Sequence, residues 1–120
     1  MLGASFFVVY RYSYFCIYLF VYADCVIFTW DENKNRSNYR KHGVFFETAV
    51  VVFDDPDFVM TRDRIVDDEE RWQTIGLVEG VLLLLVAHTM ESGDDEEIVR
   101  IISAREVTAR ERRRYESGQE

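Results

Sequence analysis

Ile98-Val-Arg-Ile-Ile-Ser-Ala-Arg105 sets two arginines and a serine into an otherwise apolar, strand-like run. Removing a guanidinium group from water is costly unless something pairs with it. Two of them at the end of a sheet are therefore either structural ion-pair partners or an anion site. The planar fork of arginine suits phosphate, which it grips bidentately. Arg71 is a third strand arginine, and Glu47, Glu69 and Glu70 are the carboxylates available to pair with these cations. If the strands carrying Arg71, His88 and Arg100 are neighbours, their side chains converge on one face. Such a cluster would hold a scissile phosphate and stabilise the charge that develops as it is attacked. His88 shares parity with Leu82, Leu84 and Val86 near the end of an apolar strand. It is either a core-edge histidine bonded to backbone or a general acid or base, a role its ordinary pKa suits. His42, beside Lys41 at a helix end, is either a solvated base that complements the helix dipole or a proton donor or phosphate contact. Arg100 and Arg105 stand five apart, so a regular strand places them on opposite faces. They reach one phosphate only if the strand ends or bulges near Ser103.

Other chemistries lack their signatures. There is no Gly-rich phosphate loop, no His-Glu-x-x-His and no Gly-x-Ser-x-Gly. The acidic clusters Asp54-Asp55-Pro56-Asp57, Asp67-Asp68-Glu69-Glu70 and Asp94-Asp95-Glu96-Glu97 read as solvated turns, and Asp67 to Glu70 lacks the alternate-residue spacing of a calcium loop. Only two histidines and two cysteines are present, Cys16 and Cys25 both near the N-terminus. No disulfide framework or zinc site is expected from them, and the usage suits a reducing cytoplasm.

The elements that must position the basic residues follow from pattern. Val26-Ile-Phe-Thr-Trp30 is a short β-rich run. Asp31 is a good N-cap for a polar helix up to His42, with its bases in the last turns and Gly43 as its stop. That helix has little to bury, so its polar face either has a task or lies in water. Val44 to Phe53 reads as a second short helix with Phe45, Ala49, Val52 and Phe53 on one face, ended by Asp54-Asp55-Pro56. The β-branched run Val50 to Val52 keeps a strand reading open. Strands are expected at Phe58 to Thr61, Arg71 to Val78, Val81 to Met90 and Ile98 to Arg105. Glu79-Gly80 is a hairpin signal and Glu91 to Asp95 a longer turn. Short joins between consecutive strands predict an antiparallel meander. Arg105 to Tyr115 is a basic C-terminal helix stopped by Ser117-Gly118. The fold class is α+β: about four antiparallel strands, two N-terminal helices and one C-terminal helix.

The chain has 120 residues, enough for one domain, and is 48% hydrophobic and 30% charged, as globular chains are. Its net charge of −8 argues against non-specific coating of nucleic acid or acidic membranes. The charges are segregated, with bases gathered at Lys34 to Lys41 and Arg100 to Arg114. Residues 1–25 differ from the rest, and half of the chain's aromatics lie between Phe6 and Tyr22. They read as a membrane or signal segment, as an element packed on the domain, or as an extension upstream of a domain that begins near Val26. Arg11 and the short apolar run after it count against a span.

One set of residues carries a family resemblance. Trp30-Asp31, Lys34, Asn38, Lys41-His42-Gly43-Val44, Phe46-Glu47, Ala49, Phe53, Asp55-Pro56, Glu70-Arg71, Gly76, His88-Thr89, Arg100-Ile-Ile-Ser-Ala-Arg105 and Glu111-Arg112 with Tyr115 resemble the BrnT family, the toxins of BrnT–BrnA toxin–antitoxin pairs. The likeness runs from about Val26 to Gly118, which leaves residues 1–25 as an aromatic-rich extension and 26–118 as the toxin domain. The turn at Glu91 to Glu97 is longer and more acidic than the family's.

The resemblance implies a RelE-like fold and a cytoplasmic endoribonuclease that halts translation by cutting RNA, with no metal or cofactor. The RNA's own 2′-hydroxyl would attack the adjacent phosphate, helped by basic side chains. It also implies neutralisation by a BrnA-like antitoxin, with a toxin homodimer inside a heterotetramer, DNA contacted only through the antitoxin, and no membrane. Matched onto this sequence, His88, Arg100, Arg71 and His42 are the catalytic candidates, and Lys41, Arg105 and Arg112 the RNA-binding ones. Tyr115 would pack the last helix. The reading from another class is a degenerate toxin, a non-catalytic module that binds an antitoxin and tunes repression.

Overall fold

The computed structural model describes residues 6–12, 25–92 and 96–118. The expected turn at Glu91 to Asp95 and most of the N-terminal 25 residues lie partly outside them. Six strands are described: β1 (Phe6–Tyr12), β2 (Cys25–Asp31), β3 (Val59–Val66), β4 (Glu69–Val78), β5 (Leu82–Ser92) and β6 (Glu96–Glu106). The helices are α1 (Glu32–His42), α2 (Phe46–Ala49), which runs on as a 3₁₀ turn over Val50–Asp54, and α3 (Ala109–Ser117). The sheet order is β1-β2-β6-β5-β4-β3.

The α+β class holds, but the sheet is mixed rather than antiparallel. β3 to β6 form the expected meander. β2, however, pairs parallel with β6, Ile27 opposite Ile98 and Thr29 opposite Arg100. Both helices and three strands intervene between these partners, so the long crossover a parallel pair requires is available. β1 pairs antiparallel with β2, Phe6 opposite Asp31 and Tyr12 opposite Cys25.

The helix boundaries follow their caps. The Asp31 carboxylate accepts the Asn33 N–H at 2.8 Å, and Gly43 takes the left-handed conformation (φ 73°) that stops α1. At α3, Thr108 and Glu111 form a capping box and Gly118 (φ 75°) ends the helix. The β4–β5 turn closes through Glu79 and Gly80, both at positive φ (52° and 72°), as a type I′ turn requires. Asp67 and Asp68 (φ 51° and 65°) make the same kind of turn between β3 and β4.

α1 and α2 cover one face of the sheet. Phe28, Trp30, Leu84, Val86, Val99, Ile101 and Ala104 pack there under Val44, Phe46, Ala49, Val50 and Val52. Phe45 does not join them. It is exposed, and Phe46 takes the buried place expected of it, because α2 begins at Phe46 and sets the helical phase one residue later. The other face buries a smaller cluster, Ile75, Leu83 and Leu85, with Leu77, Val107 and Tyr115 packed against it. Beyond the reach of α3 this second face is open, and the strand arginines stand on it.

Candidate functional site

The site begins with a fault in the β5–β6 ladder. Ala87 lies opposite Ser103 and the next residue, His88, opposite Ile101, so Ile102 has no partner. This one-residue bulge reverses the facing of β6 on either side of it. Arg100 pairs with Thr89 and Arg105 with Leu85. Thr89 and Leu85 are four apart on one strand and share a face, so the two arginines do too. The bulge that the sequence required near Ser103 is present, one residue earlier. Roughly 13 Å still separates the two backbones along the strand.

Arg71 belongs to the same face. The Glu69 carboxylate lies between it and Arg100: Arg100 Nη2 donates to Glu69 Oε1 at 2.8 Å, and Arg71 Nε is 3.6 Å from the same oxygen. Arg71 Nε is shielded from water and makes no hydrogen bond. The Arg71 side chain is 25% exposed, and those of Arg100 and Glu69 are 41% exposed, so all three open onto solvent. Arg100 and Glu69 border a cleft of about 430 Å³ whose rim also carries Asp68, Glu70 and Glu91 beside Thr29 and Thr89. An anion enters here only by taking the place of the Glu69 carboxylate or sharing the arginines with it.

Arg105 is held differently. Its Nη1 and Nη2 donate to the two oxygens of Glu111 at 2.8 and 2.9 Å. Glu111 also accepts the Thr108 N–H at 2.9 Å, so Arg105 is fastened to the first turn of α3. The hydrogen bonds from Arg105 pull the Glu111 carboxyl down to about 2, and those to Glu111 raise the Arg105 guanidinium. Arg112 is exposed on α3.

The expectation that His88 shares a face with the arginines is corrected. Its neighbours across the sheet are Trp72 and Ile101, on the face covered by the helices. It is fully buried, with Phe53 edge-on at 5.1 Å. Its Nδ1 lies 3.3 Å from the Thr89 carbonyl and its Nε2 2.7 Å from the Thr74 hydroxyl. A carbonyl can only accept, so Nδ1 carries the proton and Nε2 accepts from Thr74. Burial pushes the His88 pKa down to about 4, which keeps the ring neutral and in the core. Lys41 and His42 are exposed at the end of α1, the helix that lies against β2 and β6.

Three residues mattered more than the sequence indicated. Glu69 stood out there only as an ion-pair partner, although its two-residue spacing from Arg71 on one strand places both on one face. Asn35 and Asn38, 1% and 6% exposed, give the polar helix its task. Asn35 accepts the Phe46 N–H at 2.7 Å and donates to Glu47 at 2.9 Å. Asn38 donates to the Ala104 carbonyl at 2.8 Å and accepts the Ala104 N–H at 3.1 Å. This is the pairing a strand would offer, supplied by a side chain where β2 has ended. Their i, i+3 spacing within the motif-bearing helix was the available signal.

Among the described residues, no three histidine, cysteine or carboxylate side chains converge in a way that could hold a metal ion. No helix among them is long and apolar enough to cross a membrane.

Comparison with known proteins decides the family. Residues 30–111 match the model of the ribonuclease toxin BrnT of type II toxin–antitoxin systems. The chain belongs to the BrnT family. The matched segment runs from Trp30 to Glu111 and so contains every basic site candidate except Arg112. Among solved structures, the 1.1 Å crystal structure of the Brucella abortus ribonuclease toxin BrnT is similar at 23% identity, over 66% of this chain and 92% of that one, with a TM-score of 0.46. No curated protein matches the chain.

Proposed function

We propose that this BrnT-family chain is an endoribonuclease whose site is the open sheet face around Arg71, Arg100 and Glu69. The observation that carries the reading is the Glu69 carboxylate held between two solvent-open arginines. That trio supplies the two things RNA transesterification needs, a base for the 2′-hydroxyl and cations for the phosphate. Glu69 takes the 2′-hydroxyl proton, the 2′-oxygen bonds to phosphorus, and the bond from phosphorus to the 5′-oxygen breaks. The products are a 2′,3′-cyclic phosphate and a 5′-hydroxyl, formed when the departing 5′-oxyanion takes a proton from water. Arg100 and Arg71 hold the non-bridging oxygens, whose charge grows in the transition state.

The other candidates take separate roles. Arg105 stands further along the same strand and meets a neighbouring stretch of the RNA. Lys41, His42 and Arg112 are exposed cations that contact it at a distance. His88 supports the sheet rather than the chemistry. In the cell the activity would stop translation, and a BrnA-like antitoxin would neutralise it within a heterotetramer. The domain doing this spans 26–118, with residues 1–25 as an extension.

The test is cleavage of RNA by the purified protein and by Glu69→Gln and Arg100→Ala, each checked for folding by circular dichroism. Loss of a general base lowers the rate by about 10²–10⁴-fold, and loss of a charge-stabilising donor by about 10²–10³-fold. Folded variants that cleave as well as the parent would refute this placement. The second reading, an antitoxin-binding module without catalysis, draws on Arg100 and Arg105 both being paired already with carboxylates. It predicts antitoxin binding with no cleavage by the parent protein.

A further inference from the structure

Tyr39 and Phe45 are the two exposed aromatics flanking the Gly43 stop of α1, 47% and 42% accessible. Their rings lie parallel, centroids 4.0 Å apart and planes 9° from coplanar. Part of the contact is explained by the helix stop, where the Gly43 N–H reaches back to the Tyr39 carbonyl at 2.8 Å and an apolar contact commonly closes the turn. An aliphatic pair would serve that purpose equally. Two stacked rings left this exposed to water call for another reason.

The surroundings supply one. From Asn33 to Phe46 the chain holds no acidic residue, although the whole chain carries a net charge of −8. Arg40, Lys41 and His42 lie exposed between the two rings in sequence. A protein partner that buries two aromatic rings favours apolar neighbours around them, whereas the exposed side chains between these two in sequence are cations. Flat rings beside cations are what a single nucleic-acid strand recognises, its bases stacking and its phosphates paired. The position is suitable as well. Asn38 is bonded to Ala104, so Tyr39 and Arg105 each stand one residue from the same junction.

We propose that the Tyr39–Phe45 stack is a nucleobase platform, on which one base of single-stranded RNA extends the ring stack while Arg40, Lys41 and His42 hold the adjoining phosphates. The inference rests on the reading that the chain acts on RNA, and it extends the binding surface from the open sheet face round the end of β6 to α1.

The test reads binding rather than cleavage, so it stands whether or not the catalytic assignment does. A short 2′-O-methyl RNA, which lacks the attacking hydroxyl, is titrated against the full chain. Tyr39→Leu and Phe45→Leu, which keep an apolar contact at the helix stop, should each weaken binding about ten-fold, near the low end of the stacking contribution of one base. Phe45→Trp should preserve it. Lys41→Ala should lower the slope of log affinity against log salt by about one. The same oligomer made of abasic units should bind the parent about ten-fold more weakly, a control that needs no variant to fold. Leucine variants that bind like the parent would overturn the proposal and leave the pair as a helix-stop clamp. Equal affinity for abasic and base-bearing strands would overturn it too. So would leucine variants that keep RNA affinity but lose neutralisation by an antitoxin, which would make the patch a protein-docking surface.

Discussion

Asn38→Ala should be among the most damaging substitutions in the chain that touch no catalytic candidate. The Asn38 amide makes three hydrogen bonds to backbone: to the carbonyls of Val44 and Ala104, both at 2.8 Å, and from the Ala104 N–H at 3.1 Å. All three backbone groups lie in a buried region, and β2 ends before it can serve Ala104. With about 1 kcal/mol lost for each unmade bond, and somewhat more where the orphaned group stays dry, the cost is about 3–4 kcal/mol. Against a usual total of about 5–15 kcal/mol, that removes a large share of the stability. Urea unfolding followed by circular dichroism should show a lower midpoint with an unchanged slope. Asn38→Asp supplies a control. It keeps the acceptor for Ala104 but turns a carboxylate oxygen towards two carbonyls, so at neutral pH it should be at least as damaging as alanine. It should recover as the pH falls and the acid gains a proton to donate. A loss below about 1 kcal/mol for Asn38→Ala would show that water or a shift of α1 replaces these bonds, and would refute the account of how the helix is held.

Three further outcomes follow from packing and titration. Gly76→Ala should destabilise by about 1–3 kcal/mol in thermal or urea melts, because a Cβ there would come within 2.7 Å of Val52 Cγ1 and 2.8 Å of the Val52 carbonyl oxygen. His88 is held neutral in the fold, its pKa moving from 6.5 to about 4. The unfolded chain therefore binds the extra proton between those values, and stability complete above pH 6.5 should fall by roughly 3 kcal/mol towards pH 4. In His88→Leu that slope should vanish from the pH–stability curve. Glu111, held at about 2 against an ordinary 4.5, contributes stability that is present above pH 4.5 and lost as the pH drops towards 2. Glu111→Gln should flatten that more acidic limb alone and leave the His88 limb in place.

What the sequence disclosed depended on how local the determinant was. α1 was readable almost to the residue, because Asp31 and Gly43 act on their own neighbours. The meander β3 to β6 was readable from its short joins. The parallel pairing of β2 with β6 was not, since nothing within either strand specifies a partner so far along the chain. His88 shows the limit for the site. Its parity with Leu84 and Val86 was seen correctly, and that parity alone implied the core. Arg100 is turned to the opposite face at Ile102, where an irregularity in hydrogen bonding leaves no mark in composition. Glu69 was visible as a charge but not as the carboxylate between two arginines, because those arginines come to either side of it only in space.

The unpaired Ile102 also governs how this strand can change over generations. Before it, even-numbered positions such as Arg100 look outward and odd ones such as Val99 are buried; after it, Arg105 looks outward and Ala104 is buried. Deleting a single residue here would restore a regular ladder, and would bring either Arg100 or Arg105 round to the helix side, away from the carboxylate that now pairs with it. A substitution can be absorbed one side chain at a time, but a change of length exchanges inside for outside along half a strand. The five-residue interval between the two arginines is therefore a fixed length, and tolerated insertions belong in the turns, where they leave the phase of β6 untouched.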